Sequence, residues 1–260
     1  MEMRTRDTGA NDIVVCHMGQ MPYAPAWELQ KQIQQELITG KRAKPPEHRR
    51  HVMLLVEHPP VYTLGKSGDA TNLLVSETFL KSKGATFFHI DRGGDITFHG
   101  PGQIVGYPIL DLARIDPDIH LYLRNLEETI IRLCADYDVP TTRVEGKTGV
   151  WIGPEGADSD RKICAMGIRC SRWVTMHGFA LNVNTDLSYF NHIVPCGIQD
   201  RTVTSLAKET GAPVDMREAQ DRLLAHFQAV FGLQAEILGP DESIAYEQES
   251  TGASFPLSSS

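Results

Sequence analysis

Two residues far apart in the chain have types and settings that could do covalent chemistry together. Cys196 sits in the turn Val194-Pro195-Cys196-Gly197, where proline stiffens the approach and glycine clears space beside the sulfur. A thiol there acts as a nucleophile once its proton is removed. Lys162 opens KICAMGIR at 162–169, just after an acid-rich turn at 154–160. A partly desolvated lysine amine stabilises a thiolate as a cation, or takes a thiol's proton when neutral. On residue types alone, a solvated lysine at a strand edge is the simpler reading of Lys162, and a turn cysteine need not be reactive. His99, His177 and His192 are further candidate partners for a thiol. Cys16, Cys134 and Cys164 fall in apolar periodic segments and read as small buried hydrophobes, whereas Cys170 stays open.

Binding chemistry points to another place. RGGDITFHGPGQ at 92–103 packs four glycines and a proline around one arginine and one histidine. Glycine lets backbone approach a ligand closely. The apolar run at 104–110 that follows reads as a buried strand, so this loop is held on a rigid sheet. HPPVYTLG at 58–65 reads as a rigid loop between sheet elements, and HGFALN at 177–182 as a strand with one hydrogen-bonded histidine.

Positioning such residues needs a sheet and helices to brace it. Helical periodicity predicts helices over 26–38, 119–137 and 216–231, with Gly40 stopping the first and Asp215 with Glu218 capping the third. Apolar runs at 13–16, 51–56, 86–90, 103–110, 149–152, 163–168, 173–176, 179–183 and 235–238 predict strands. Several strands follow one another directly, so the fold class is α/β of the α+β type, a mixed sheet flanked by helices. The expected organisation is a flexible N-terminus at 1–11, one domain at 12–238, and a disordered tail at 239–260 rich in Ser, Glu, Gly and Pro.

Bulk properties exclude several classes. Hydrophobic content of 41% and charged content of 22% are ordinary for a soluble globular protein. A net charge of −8 argues against a general nucleic-acid binder. No apolar run reaches membrane-spanning length and the N-terminus lacks a signal-peptide core, so neither membrane nor export is expected. Five irregularly spaced cysteines without a CxxC argue for a reducing cytoplasm, against a disulfide framework, and against a zinc site.

HPPVYTLG, RGGDITFHGPGQ, KICAMGIR, HGFALNVN at 177–184 and PCG at 195–197 occur in one order. In that order the chain resembles the lipoyl(octanoyl) transferase family of lipoate biosynthesis over roughly residues 12–235. The resemblance implies a fold similar to the catalytic domain of biotin and lipoate protein ligases. It implies transfer of an octanoyl or lipoyl group from acyl carrier protein to a lysine of lipoyl domains, in 2-oxoacid dehydrogenase complexes and the glycine cleavage H protein. Cys196 would be the nucleophile and Lys162 its acid–base partner. Arg92, Gly93, Gly94, Asp95, Ile96, Thr97, Phe98, His99, Ala165, Met166, Gly167, Gly178, Phe179 and Ala180 would bind the acyl chain. No cofactor or metal is implied, and a monomer is expected. Asp95 and the insert at 154–160 are where the chain departs from the family pattern.

Backbone N–H groups near Gly167 or Gly178 are the candidate oxyanion donors. The family's protein partners are acidic, so a chain of net charge −8 needs a local basic patch to attract them. Lys41, Arg42, Lys44, His48, Arg49, Arg50 and His51 supply one, with a solvated loop as the alternative. Rival readings are an ATP-dependent lipoate or biotin ligase, a non-catalytic acyl-binding module, and an amidotransferase using Cys164 or Cys170.

Overall fold

The strands assemble in the computed structural model into one long mixed sheet and one small one; the structure describes residues 12–153, 160–194 and 202–238. Cys196, residues 154–159 of the insert, the N-terminal segment 1–11 and the tail 239–260 lie outside the described residues. The long sheet runs β12(Gln234–Leu238), β1(Asp12–Gln20), β2(His51–Glu57), β6(Gln103–Ile109), β10(Val174–Asn182), β9(Arg161–Ser171), β8(Lys147–Ile152), β7(Thr142–Val144), and β11(Thr202–Val203) also pairs with β9. β1 is parallel to both its neighbours, the pairings from β2 across to β7 are antiparallel, and β11 is parallel to β9.

Helices cover both faces, because the central strands are apolar on both sides. On one face α3(Ile119–Ala135) and α5(Met216–Phe231) pack Tyr122, Leu126, Ile130, Leu223 and Phe227 against Ile13, Met53, Ile104 and Leu181. On the other, α1(Tyr23–Arg42) packs Ala26, Leu29, Ile33 and Leu37 against Val14, Leu54, Val105 and Ala180. The Asp215 carboxylate accepts from Glu218 N at 2.8 Å, as the capping pattern requires. Asp118 caps α3 through His120 N and Leu121 N.

The structure corrects four expectations. The first helix is longer at both ends than 26–38. Pro25 sits in its first turn, where no intrahelical N–H is needed. It also runs through Gly40, whose carbonyl accepts from Glu47 N at 2.9 Å, so this glycine marks a chain approach and not a stop. Within the supposed loop 58–65, Val61–Leu64 forms β3, the centre of a small sheet ordered β4(Thr86–His89), β3, β5(Ile96–His99). β5 lies inside the glycine-rich stretch, so the middle of that stretch is strand. The runs at 173–176 and 179–183 are one continuous strand, with His177 holding a positive φ of 61° in its middle.

Candidate active site

Between the long sheet and the small one lies an open pocket. Its walls come from segments remote in sequence. β9 contributes Lys162, Ala165, Met166 and Gly167, and β10 contributes His177, Gly178, Phe179, Ala180 and Asn182. The glycine-rich stretch contributes Arg92, Gly94, Asp95, Ile96, Thr97 and His99. Gln103, Val105 and Tyr107 of β6, Tyr23 of α1, Phe190 and Val203 complete it.

Two of the expected binding residues do not line this space. Phe98 points to the opposite face of β5 from Thr97 and His99, as strand alternation demands. Its ring stacks on Tyr189 at 4.6 Å in the core of the small sheet. Gly93 instead pins the loop, its N–H donating to Ile168 O at 2.9 Å. That approach depends on Gly167, where a Cβ would stand 2.6 Å from Gly93 O.

A directional chain of hydrogen bonds runs along the wall. The Arg92 guanidinium donates to Thr63 O at 2.7 Å and to Thr63 Oγ1 at 3.0 Å. The Thr63 hydroxyl faces His99 Nε2 at 3.4 Å, and His99 Nδ1 donates to Gln103 Oε1 at 2.9 Å. Gln103 Nε2 donates to Asn182 Oδ1 at 2.9 Å, and Asn182 Nδ2 donates to Thr204 O at 3.0 Å. Thr204 N in turn donates to Lys162 O at 3.0 Å. A carbonyl only accepts, so His99 carries its proton on Nδ1 and accepts on Nε2. Burial depresses His99 to about 3, which keeps the ring neutral and that tautomer fixed.

A second buried histidine supports the same floor. His58 Nδ1 donates to Met21 O at 2.6 Å, and its Nε2 accepts from the Tyr107 hydroxyl at 2.7 Å. Burial lowers His58 to about 4, so it too is neutral. Tyr23 stacks on His99 with ring centroids 6.1 Å apart. His177 Nε2 donates to Asp91 Oδ1 at 2.9 Å, and Arg169 pairs with the other oxygen of the same carboxylate. The hydrogen bond from His177 is the leading reason that Asp91 sits below the usual carboxylate range.

The chain on either side of residues 195–201 is tied to this pocket. Val194 N donates to Asn72 O at 2.8 Å, and the Asn72 side chain donates to Asp95 Oδ2 at 2.6 Å. Further along, Val203 is the register partner of Lys162. Asp95 is thus a strut between the glycine-rich stretch and the backbone at Val194.

The rival cysteines are poorly placed. Cys164 is fully buried in the core, and desolvation pushes its thiol well above the ordinary range. Cys134 is raised to about 12 for the same reason. Cys170 lies eight residues from Lys162 on β9, about 26 Å along the strand, and does not line the pocket.

The profile of the lipoyl protein ligase A/B catalytic domain matches residues 22–228. The chain is 54% identical to an octanoyltransferase of Flavobacterium psychrophilum over 219 residues, covering 82% of this chain and 94% of that one. It is 53% identical to an octanoyltransferase of Christiangramia forsetii over 231 residues, covering 87% and 97%. The chain belongs to the octanoyltransferase family. Among solved structures, a bipartite lipoate protein ligase from Thermoplasma acidophilum superposes with a TM-score of 0.64 at 16% identity, covering 93% of this chain and 92% of that one. That likeness shows a shared fold. Octanoyltransferases and ligases thus share an architecture, and the chemistry has to be read from the side chains.

Sequence reasoning did not assign Tyr23, Gln103, Val105, Tyr107, Asn182, Phe190 or Val203 to the site. Gln103 ends the glycine-rich stretch, and Val105 and Tyr107 follow it on β6, so these could have been included by proximity. Tyr23 carries no local signal, since only the packing of α1 brings it to the pocket. Among the described residues no helix is long and apolar enough to cross a membrane.

Proposed function

We propose that this chain carries out the octanoyl transfer of its family through a thioester on Cys196, with Lys162 as the acid–base partner. The observation that carries the reading is Lys162 in the wall of a mostly apolar pocket, in register with Val203. Lys162 and Gly167 are five residues apart on β9, about 16 Å, longer than an extended eight-carbon chain. Burying seven carbons at about 0.8 kcal/mol each supplies roughly 5–6 kcal/mol before costs.

Cys196 Sγ attacks the carbonyl carbon of the octanoyl thioester on acyl carrier protein. The new C–S bond forms as the donor's C–S bond breaks, and the cysteine proton passes by way of Lys162 to the departing thiolate. One thioester replaces another, so the step is near balance and needs no ATP. The acceptor lysine, on a lipoyl domain of a 2-oxoacid dehydrogenase complex or of the glycine cleavage H protein, then attacks as a neutral amine. A free lysine titrates near ~10.4, so most of it is inert at neutral pH. Lys162 takes the amine proton as the C–N bond forms and returns it to the Cys196 thiolate. The reading includes a single catalytic unit over 12–238, acting as a monomer in the cytoplasm.

Incubation with octanoyl acyl carrier protein should give a hydroxylamine-sensitive mass adduct that maps to Cys196. Cys196→Ala should abolish both adduct and transfer, and labelling that persists in this variant ends the reading. Pyrophosphate release with free octanoate would establish the ligase alternative instead. Lys162→Arg keeps the charge without a titrating amine, so near-normal turnover in it removes the proposed base.

A further inference from the structure

The Lys162 ammonium lies over the Trp151 ring, with Nζ 4.5 Å from the ring centroid. Trp151 is only 3% exposed and is the β8 register partner of Lys162 across β9. A cation at that distance is attracted by the negative face of the indole. Two residues earlier on β8, Gly149 has a φ of +116°, and a Cβ there would stand 2.6 Å from Cys164 O and 3.6 Å from Lys162 Cε. The strand beside the lysine stem is therefore bare of side chain. Glu127 of α3 holds it there: its Oε1 accepts from Gly149 N at 3.0 Å. That buried carboxylate is itself neutralised by Arg124 at 3.0 Å and Arg143 at 3.1 Å.

We propose that Trp151 is the positioning residue for Lys162: its indole face holds the side-chain nitrogen over the ring and aims it along the pocket. The inference rests on the reading of Lys162 as partner of Cys196.

The test is single-turnover transfer from preformed acyl-enzyme to an isolated lipoyl domain in the full chain, with the rate at saturating acceptor and the half-saturating acceptor concentration measured separately. Trp151→Leu should slow the saturated rate by about tenfold and leave the half-saturating concentration within about twofold, while Trp151→Phe, which keeps an aromatic face, should stay within about threefold on both. An unchanged saturated rate in folded Trp151→Leu overturns the proposal. So does a loss in Trp151→Phe as large as that in Trp151→Leu. Should Trp151→Leu fail to fold, Trp151→Phe decides: a loss of about tenfold or more in it overturns the proposal. Failure of the underlying reading looks different: Lys162→Met would then turn over normally, or no adduct would form on Cys196.

Discussion

Gln103 donates to Asn182 across 2.9 Å, and this contact joins the glycine-rich side of the pocket to the strand pair that carries Lys162. Both side chains are buried, and both are oriented by further partners, Phe98 O for Gln103 and Thr204 O for Asn182. Asn182→Ala takes the acceptor from one N–H of the Gln103 amide and the side-chain donor from Thr204 O. Leaving such groups unpaired costs about 1–3 kcal/mol. Urea unfolding should show that loss. Steady-state transfer should slow as well, because the Thr204 backbone also bonds Lys162. A variant of unchanged stability would show that water replaces the contact.

The buried histidines make stability depend on pH. His58 and His99 titrate near 4 and 3 in the folded chain, below the unfolded value of 6.5. The unfolded chain therefore binds more protons throughout the interval between. Their stabilising contribution is complete above pH 6.5 and is lost as pH falls toward 4, by up to about 1.4 kcal/mol per pH unit for each ring. Urea midpoints at pH 7.5, 6 and 5 should decline steeply. His99→Gln, which keeps a donor and an acceptor, should flatten the decline.

Ala165 offers the simplest control of chain length. It lines the pocket between Lys162 and Gly167 without entering the hydrogen-bonded chain. Ala165→Leu should fill space meant for the acyl tail and lower kcat/KM for octanoyl by at least tenfold. Each methylene excluded from burial is worth about 0.8 kcal/mol, so shorter acyl donors should lose less. Competition between hexanoyl and octanoyl carrier protein measures the ratio. An unaltered preference would place the acyl tail elsewhere.

The basic segment after α1 should serve stability more than recruitment. Lys41 pairs with the buried Asp111 at 2.6 Å, Arg49 with Glu36 at 3.0 Å, and Arg50 with Glu236. The segment also lies at the far end of α1 from Tyr23, about 28 Å along the helix. Lys41→Ala should cost about 1–3 kcal/mol by leaving a buried carboxylate without its cation. Its KM for carrier protein and the salt dependence of that KM should stay as they were. A strongly raised KM would restore this segment as a docking surface.

The sequence made the helices legible because one face of each is continuously apolar, as at Leu126, Ile130 and Leu133. It misled where local chemistry competes with tertiary pairing. Pro59 and Pro60 made 58–65 look like a loop, although Val61, Tyr62, Thr63 and Leu64 are good strand formers and pair on both sides. The apolar runs at 173–176 and 179–183 were two separate strand signals, and β9 holds them in register as one strand through His177 and Gly178. Lys162 was visible through its motif. Thr63 and Asn182, which relay hydrogen bonds between parts of the pocket, were not singled out, because their roles exist only once the two sheets meet.

The parallel pairing of β1 with β12 has a kinetic consequence. Asp12 is in register with Gln234, so strands more than two hundred residues apart are neighbours in the sheet. During synthesis β1 can pair with β2 early, but its other edge stays open until residues 234–238 have been made. An apolar strand with an open edge is a template for intermolecular pairing. Contacts of such sequence separation also slow folding. The nascent protein therefore carries an exposed apolar edge on β1, open to other chains, until β12 arrives to cover it.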